Sequence, residues 1–120
     1  MTDNSIFQLG ISENIHKQLS AIAKNIRTTK KILLQTIITN WLQEKKDIIE
    51  NCLNNNECKK IKIKVIQGKV KYVNIFTVPR ETLNGLSENM DVPKKLLVDN
   101  IVYEWLKKNK ETYLSARVIK

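Results

Sequence analysis

Apolar residues recur along this chain with two different periods, and the order in which those periods appear outlines its elements. Two short runs rich in β-formers, Ile6-Phe7-Gln8-Leu9-Gly10-Ile11 and Val73-Asn74-Ile75-Phe76-Thr77-Val78, are expected to be strands. Each precedes a stretch with helical spacing: Ile15, Leu19, Ile22 and Ile26 after the first, and Leu83, Leu86 and Met90 after the second. A longer helix follows in each case. In the first of these, Leu33, Leu34, Ile37, Ile38, Trp41 and Leu42 are too many for one narrow stripe, so the helix must be covered from two sides. Local signals set the boundaries: Ser12 and Thr29 as caps of the first pair of helices, and Pro79 and Pro93 at the start of the second pair. Gly85 costs roughly 1 kcal/mol against alanine in a helix and marks the short helix of the second half as the weaker one.

The chain also repeats itself. Thr29-Lys30-Lys31-Ile32-Leu33-Leu34-Gln35-Thr36-Ile37-Ile38-Thr39-Asn40-Trp41-Leu42 aligns without gaps on Pro93-Lys94-Lys95-Leu96-Leu97-Val98-Asp99-Asn100-Ile101-Val102-Tyr103-Glu104-Trp105-Leu106, with six of fourteen positions identical and three more exchanging one aliphatic residue for another. Upstream, the expected strands and short helices extend the match, with the first helix of the second copy about three residues shorter. A strand-helix-helix unit of this size cannot bury a helix that is apolar on two sides, whereas two units packed around each other can. The expected organisation is a first unit over residues 1–46, a connector over 47–72 and a second unit with a C-terminal tail over 73–120.

Charge changes the picture of the connector. The chain has 120 residues and a formal net charge of +9, and six of its lysines fall between residues 59 and 78, where there is no acid. Lys60-Ile61-Lys62-Ile63-Lys64-Val65-Ile66 alternates with period two, Gln67-Gly68 offers a turn, and Val70-Lys71-Tyr72-Val73 continues the alternation, which is the pattern of a basic β-hairpin. In that hairpin Lys64 would face Lys71, and like charges so placed repel unless an anion lies over them. Lys62, Lys64 and Lys71 are therefore candidate phosphate contacts. Lys30-Lys31 and Lys94-Lys95 stand at two equivalent helix starts, where lysine opposes the helix dipole, and Thr29 lies beside the first pair; all five are candidate phosphate contacts at helix N-termini.

Composition excludes several classes. No run of eighteen apolar residues is present, and the polar opening Met1-Thr2-Asp3-Asn4 is unlike a secretory leader, so an intracellular, cytoplasmic protein is expected. One histidine, two cysteines and no cluster of metal-ligating side chains leave little material for catalysis, so neither an enzyme nor a cofactor is expected. An excess of lysine favours a polyanionic partner, of which nucleic acid is the commonest.

With these residues in view, the sequence resembles the ribbon-helix-helix family of DNA-binding proteins, the Arc and MetJ repressors among them. Leu9-Gly10-Ile11-Ser12-Glu13-Asn14-Ile15-His16-Lys17-Gln18-Leu19 is similar to that family's passage from strand to first helix, Thr29 to Leu42 to its second helix, and Val78-Pro79-Arg80-Glu81-Thr82-Leu83 to a strand end and the proline that opens a helix. The resemblance covers about residues 5–46 and 73–110 and implies a mostly α fold with a short antiparallel β-ribbon. Most family members are homodimers; this chain would be a fused pseudo-dimer, monomeric in solution, with parallels among transcription regulators of archaeal viruses and then a host cytoplasm as its location. The resemblance further implies a sequence-specific regulator of double-stranded DNA, with the ribbon in the major groove and no small-molecule substrate or membrane partner. Base contacts carried over by position are Ile6, Gln8 and Gly10 from one strand and Val73, Ile75 and Thr77 from the other, with Phe7, Leu9, Ile11, Phe76 and Val78 facing the core. A slip of one residue would instead turn Asn74 outward and bury Val73 and Ile75.

The remaining residues are assigned more plainly. His16 is expected at the surface, and Trp41 and Trp105 in the core rather than stacked on single-stranded bases. Cys52 and Cys58 flank a loop-forming run and are expected as free thiols, or as a disulfide closing that loop. Residues 47–53 extend the preceding helix or form a short one. Tyr113, Leu114, Val118 and Ile119 of the tail either cover the core or join molecules side by side on DNA. Other readings are a winged helix with residues 60–78 as the wing, a DNA-coating architectural protein of low specificity, and an antitoxin-like protein-binding module.

Overall fold

The computed structural model describes residues 7–75 and 80–119, with side-chain surroundings for 8–75 and 80–109. Five helices and one two-stranded antiparallel sheet follow in the order β1 (Phe7–Ser12), α1 (Glu13–Asn25), α2 (Lys30–Glu44), α3 (Lys46–Asn55), β2 (Val70–Ile75), α4 (Arg80–Met90) and α5 (Lys94–Ile119). The order strand, helix, helix thus occurs at both ends of the described chain, with α3 between.

Residues sixty-four positions apart have the same surroundings. Leu19 and Leu83, Ile22 and Leu86, Leu34 and Val98, and Ile38 and Val102 are all buried. The turns between the paired helices match bond for bond. Arg27 and Asp91 both take positive φ, at 61° and 56°. The Thr28 N–H donates to Ala23 O at 2.9 Å, and the Val92 N–H to Ser87 O at 3.1 Å. These are the reversed bonds of a helix end in which one left-handed residue lets the chain turn back. The same spacing holds in the sheet, where Leu9 and Val73 are partners in the ladder and both face the core. α5 packs on β1 and α2 on β2, so each long helix covers the strand of the other half. That explains why α2 and α5 are apolar on two sides: Leu33, Leu34, Ile37, Ile38 and Trp41 are buried in one, and Leu97, Val98, Ile101, Val102 and Leu106 in the other. Ile26, expected on the buried face of α1, is its C-cap residue and is exposed.

The basic hairpin does not form. Residues 62–67 have no regular secondary structure, and β2 pairs with β1 instead. The apolar side chains of this segment find a better surface than each other: Ile61 is buried, and Ile63 and Ile66 pack against the same core. Its backbone is satisfied by a side chain, since Asn100 of α5 donates to Lys64 O at 2.8 Å and accepts from Lys64 N at 2.7 Å. Residues 60–67 are therefore a strap laid across α5, which turns at Gly68 (φ 143°) into β2. Lys64 and Lys71 do not face one another.

The strap is anchored at its other end by a disulfide between Cys52 and Cys58, so the thiols are not free. Asn89 of α4 closes the end of α3, donating to Cys52 O at 2.8 Å and Leu53 O at 3.3 Å. Gly85 has its reason here: a Cβ at that position would lie 2.9 Å from Leu53 Cδ2, so its absence lets α3 pack closely on α4.

Ser12 does not cap α1 with its side chain. Its N–H donates to Asp99 Oδ1 at 2.7 Å and its hydroxyl to Asp99 Oδ2 at 2.5 Å, while Lys95 Nζ lies 3.0 Å from the same Oδ2 and 2.9 Å from Ser12 Oγ. Asp99 is fully buried. A buried carboxylate persists only when paired and hydrogen-bonded, and this one is held by three donors from two elements. Replacing Asp99 with alanine leaves the Ser12 donors and the Lys95 ammonium unmatched, and the expected loss in urea unfolding is about 3–5 kcal/mol; a loss below about 1 kcal/mol would remove this cluster from the account of the fold.

Candidate nucleic-acid interface

The two strands present one face to the core and one away from it. Leu9, Ile11, Val73 and Ile75 are inward, whereas Gln8, Tyr72 and Asn74 are exposed. This corrects the expected register of the second strand: Val73 is 4% and Ile75 0% exposed, so neither is available for a base contact. The reason is the spacing of the repeat. Aligning Ile6 with Val73 sets the strands sixty-seven residues apart, whereas the helices and the ladder keep sixty-four. The difference is odd, and an odd shift turns every strand side chain to the other face. With the smaller spacing, Gln8 corresponds to Tyr72 and Gly10 to Asn74, and the ladder pairs them crosswise, Gln8 with Asn74 and Gly10 with Tyr72. Ile6 and Thr77 lie outside the described residues, as do Phe76 and Val78.

Gly10 is part of the shape of this face. A Cβ there would lie 2.9 Å from Val70 Cγ1 and 3.4 Å from Tyr72 Cε1, so the bare backbone makes room for both neighbours. The face therefore combines two amides opposite one another with a phenol that is 61% exposed. Amides in a groove pair with the N6 and N7 edge of adenine.

Cations gather beside the ribbon. The His16 pKa lies below its ordinary 6.5, first because burial disfavours the charged ring and then because Lys30 and Lys71 repel it, with Glu13 opposing. Lys30 opens α2, Lys71 belongs to β2 and His16 to α1, so two elements bring positive charge to bear on an imidazole carried by a third. The only carboxylate in the group is Glu13, at 3.9 Å from Lys71 Nζ. Thr29 caps α2 as expected, its Oγ1 accepting from the Ile32 N–H at 3.1 Å, and Lys30 and Lys31 stand at the positive end of that helix. Neither Tyr72 nor His16 was read as a site residue; the constant spacing of the repeat points to the first, while nothing in the sequence places the second beside Lys30.

The other expected phosphate contacts are arranged differently. Lys94 Nζ donates to Asn84 Oδ1 at 2.9 Å. Lys95 is turned inward onto Asp99, so its charge is already matched. Lys64 Nζ donates to the Tyr103 hydroxyl at 3.2 Å and lies 4.8 Å from that ring, and it holds the Tyr103 pKa below the ordinary 10.0. Lys62 lies with Lys45 at the far end of α2, roughly 22 Å along the axis from Lys30 at 1.5 Å per residue. The lysines of residues 59–78 thus do not form one surface: Lys71 belongs to the ribbon, and Lys62 and Lys64 to the strap. Trp41 is buried, with Nε1 3.4 Å from Glu104 Oε1, which leaves its ring unavailable for base stacking.

Set beside known proteins, the chain matches no family model, no curated protein and no solved structure. Among the described residues no helix is long and apolar enough to cross a membrane, and no three histidine, cysteine, aspartate or glutamate side chains are grouped to hold a metal ion.

Two measurements address this face. If Lys30 and Lys71 meet phosphates, replacing each with alanine flattens the dependence of log affinity on log salt by about 0.9 on duplex DNA, whereas Lys62→Ala leaves the slope unchanged; equal slopes for all three variants would dissolve the distinction drawn here. A phosphate beside His16 would raise its pKa, so DNA affinity should increase as the pH falls from about 7.5 to about 6, and His16→Gln should abolish that increase. In the free protein the sign is opposite. A lowered pKa means that the unfolded chain binds the proton more readily, so His16 makes the fold less stable as the pH drops below about 6.5.

Proposed function

We propose that the chain is a sequence-specific double-stranded DNA-binding transcription regulator built as a tandem ribbon-helix-helix, two strand-helix-helix units fused into a pseudo-dimer. The observation that carries this reading is the way the strands meet. Leu9 is paired with Val73, the residue sixty-four positions on, and Gln8 with Asn74 just as Gly10 is with Tyr72. Corresponding residues of a repeat fall opposite one another in this way only when the two copies are related by a two-fold axis through the ribbon. A two-stranded ribbon of that kind is one of the elements that fits the major groove.

In this reading the ribbon lies in the groove, Gln8 and Asn74 meet base edges, Tyr72 adds its hydroxyl and ring, and Lys30, Lys71 and the start of α2 hold the flanking phosphate. In the second half Lys95 is engaged with Asp99 and Lys94 with Asn84, whereas among the described residues no carboxylate holds Thr29, the cap of α2, away from a phosphate. The bound site is accordingly asymmetric. Both strands come from one chain, so no second copy is needed to complete the ribbon.

For a regulator, affinity for the promoters of its own genome should exceed that for random duplex by about three or more orders of magnitude. Equal affinities would favour the DNA-coating alternative, and no duplex binding at all would favour a protein-binding module. Sedimentation without DNA should show a monomer.

A further inference from the structure

The strap carries cations that the ribbon does not use. Where residues 60–63 cross α2 and α5 they wall a cavity of about 240 Å³. Its floor is apolar and drawn from three elements: Trp41 of α2, Ile61 of the strap, and Leu97 and Ile101 of α5, all buried. Lys45 between α2 and α3 and Lys60 and Lys62 of the strap line it as well, with one carboxylate, Glu104 of α5. That carboxylate is shared already. Its Oε1 lies 3.4 Å from Trp41 Nε1, and its Oε2 lies 3.4 Å from Lys45 Nζ and 3.7 Å from Lys108 Nζ. Lys60 and Lys62 have no ion-pair partner among the described residues.

Apolar side chains beside two ammonium groups that have no ion-pair partner among the described residues are complementary to an amphipathic anion, since apolar area fixes affinity and a few placed charges fix orientation. Drug-sized ligands occupy clefts of about 300–1,000 Å³, so this smaller cavity suits a molecule of roughly ten non-hydrogen atoms. Glu104 also lines the cavity and repels a dianion more than a monoanion. We propose that the cavity between the strap, α2 and α5 is a binding site for a compact amphipathic carboxylate, its ring or branched chain lying on Trp41, Ile61, Leu97 and Ile101 and its carboxylate held by Lys60 and Lys62. The strap runs on into β2, so the ligand touches the segment that positions Tyr72 and Asn74. The site stands on the cavity and its charges and does not depend on the DNA reading; a small-molecule partner was not expected from the sequence.

The test uses benzoate, phenylacetate and 4-methylpentanoate, each beside its neutral amide. Binding is followed calorimetrically with the unaltered protein and by the fluorescence of Trp41 in a Trp105→Phe variant. At least one carboxylate should saturate with a Kd of about 1 mM or tighter and change the Trp41 emission, with its amide and the Lys60→Gln/Lys62→Gln protein each about tenfold weaker or worse. Both lysines are exposed, so the doubly substituted protein should keep its thermal midpoint. Absence of saturation with all three carboxylates, equal binding of acid and amide, or undiminished binding by the doubly substituted protein would overturn the proposal.

Discussion

A buried carboxylate ties β1 to α5, and so the first half of the chain to the second. Asp99, on the second turn of α5, receives the Ser12 N–H, the Ser12 hydroxyl and the Lys95 ammonium. Ser12 is the last residue of β1 and the point at which α1 begins. A charge without solvent tolerates few arrangements of its partners, so this cluster fixes where α5 lies against the passage from β1 to α1. The position of β1 follows from it, and with β1 the pairing partner of β2. The counterpart of Asp99 in α2 is Gln35, an amide in place of a carboxylate, and that of Ser12 lies at residue 76, outside the described residues.

The ribbon is the meeting point of local and long-range constraints. Its inward face is covered by helices from both halves, and among the described residues Gln8, Tyr72 and Asn74 are exposed on the outward face. That face is short, and what it offers is amides, a phenol and the space over Gly10, flanked by His16, Lys30 and Lys71. In the proposed reading its amides would carry the hydrogen-bonding pattern, and the positive charge at its margin would add attraction without sequence preference. Burial is the first cause of the lowered His16 pKa, and the charges of Lys30 and Lys71 at that margin add to it.

The strap separates the remaining charge from the ribbon. Its alternating pattern has the period of a strand, but a strand needs a partner for its backbone and a surface for its apolar side. Asn100 supplies the first with one amide group, and the gap between α2 and α5 supplies the second. The hydrogen-bonding partner that the hairpin would have used, residues 70–73, is taken by β1. In consequence Lys60 and Lys62 stand near Lys45 beside a cavity lined by both apolar and charged side chains rather than beside Lys71.

The sequence by itself determined α1, α2, α4 and the start of α5, their order and the repeat, because those rest on short-range periodicity, on Thr29 and Pro93 at helix starts, and on matched apolar positions such as Ile37 and Ile101. It also carried the amide at Gln8. The orientation of the second strand depended on whether its spacing from the first is sixty-four or sixty-seven residues, and an apolar run such as Val73 to Val78 reads equally well either way. Only the tertiary structure decided it, through the helix faces that bury Val73 and Ile75. The same holds for the basic connector, for the Cys52–Cys58 bridge and for His16 beside Lys30. Each depends on which residue fills a space, forms a bond or comes within reach in three dimensions, and periodicity along the chain carries no record of such partners, whether six residues away, as Cys58 is from Cys52, or thirty-six, as Asn100 is from Lys64.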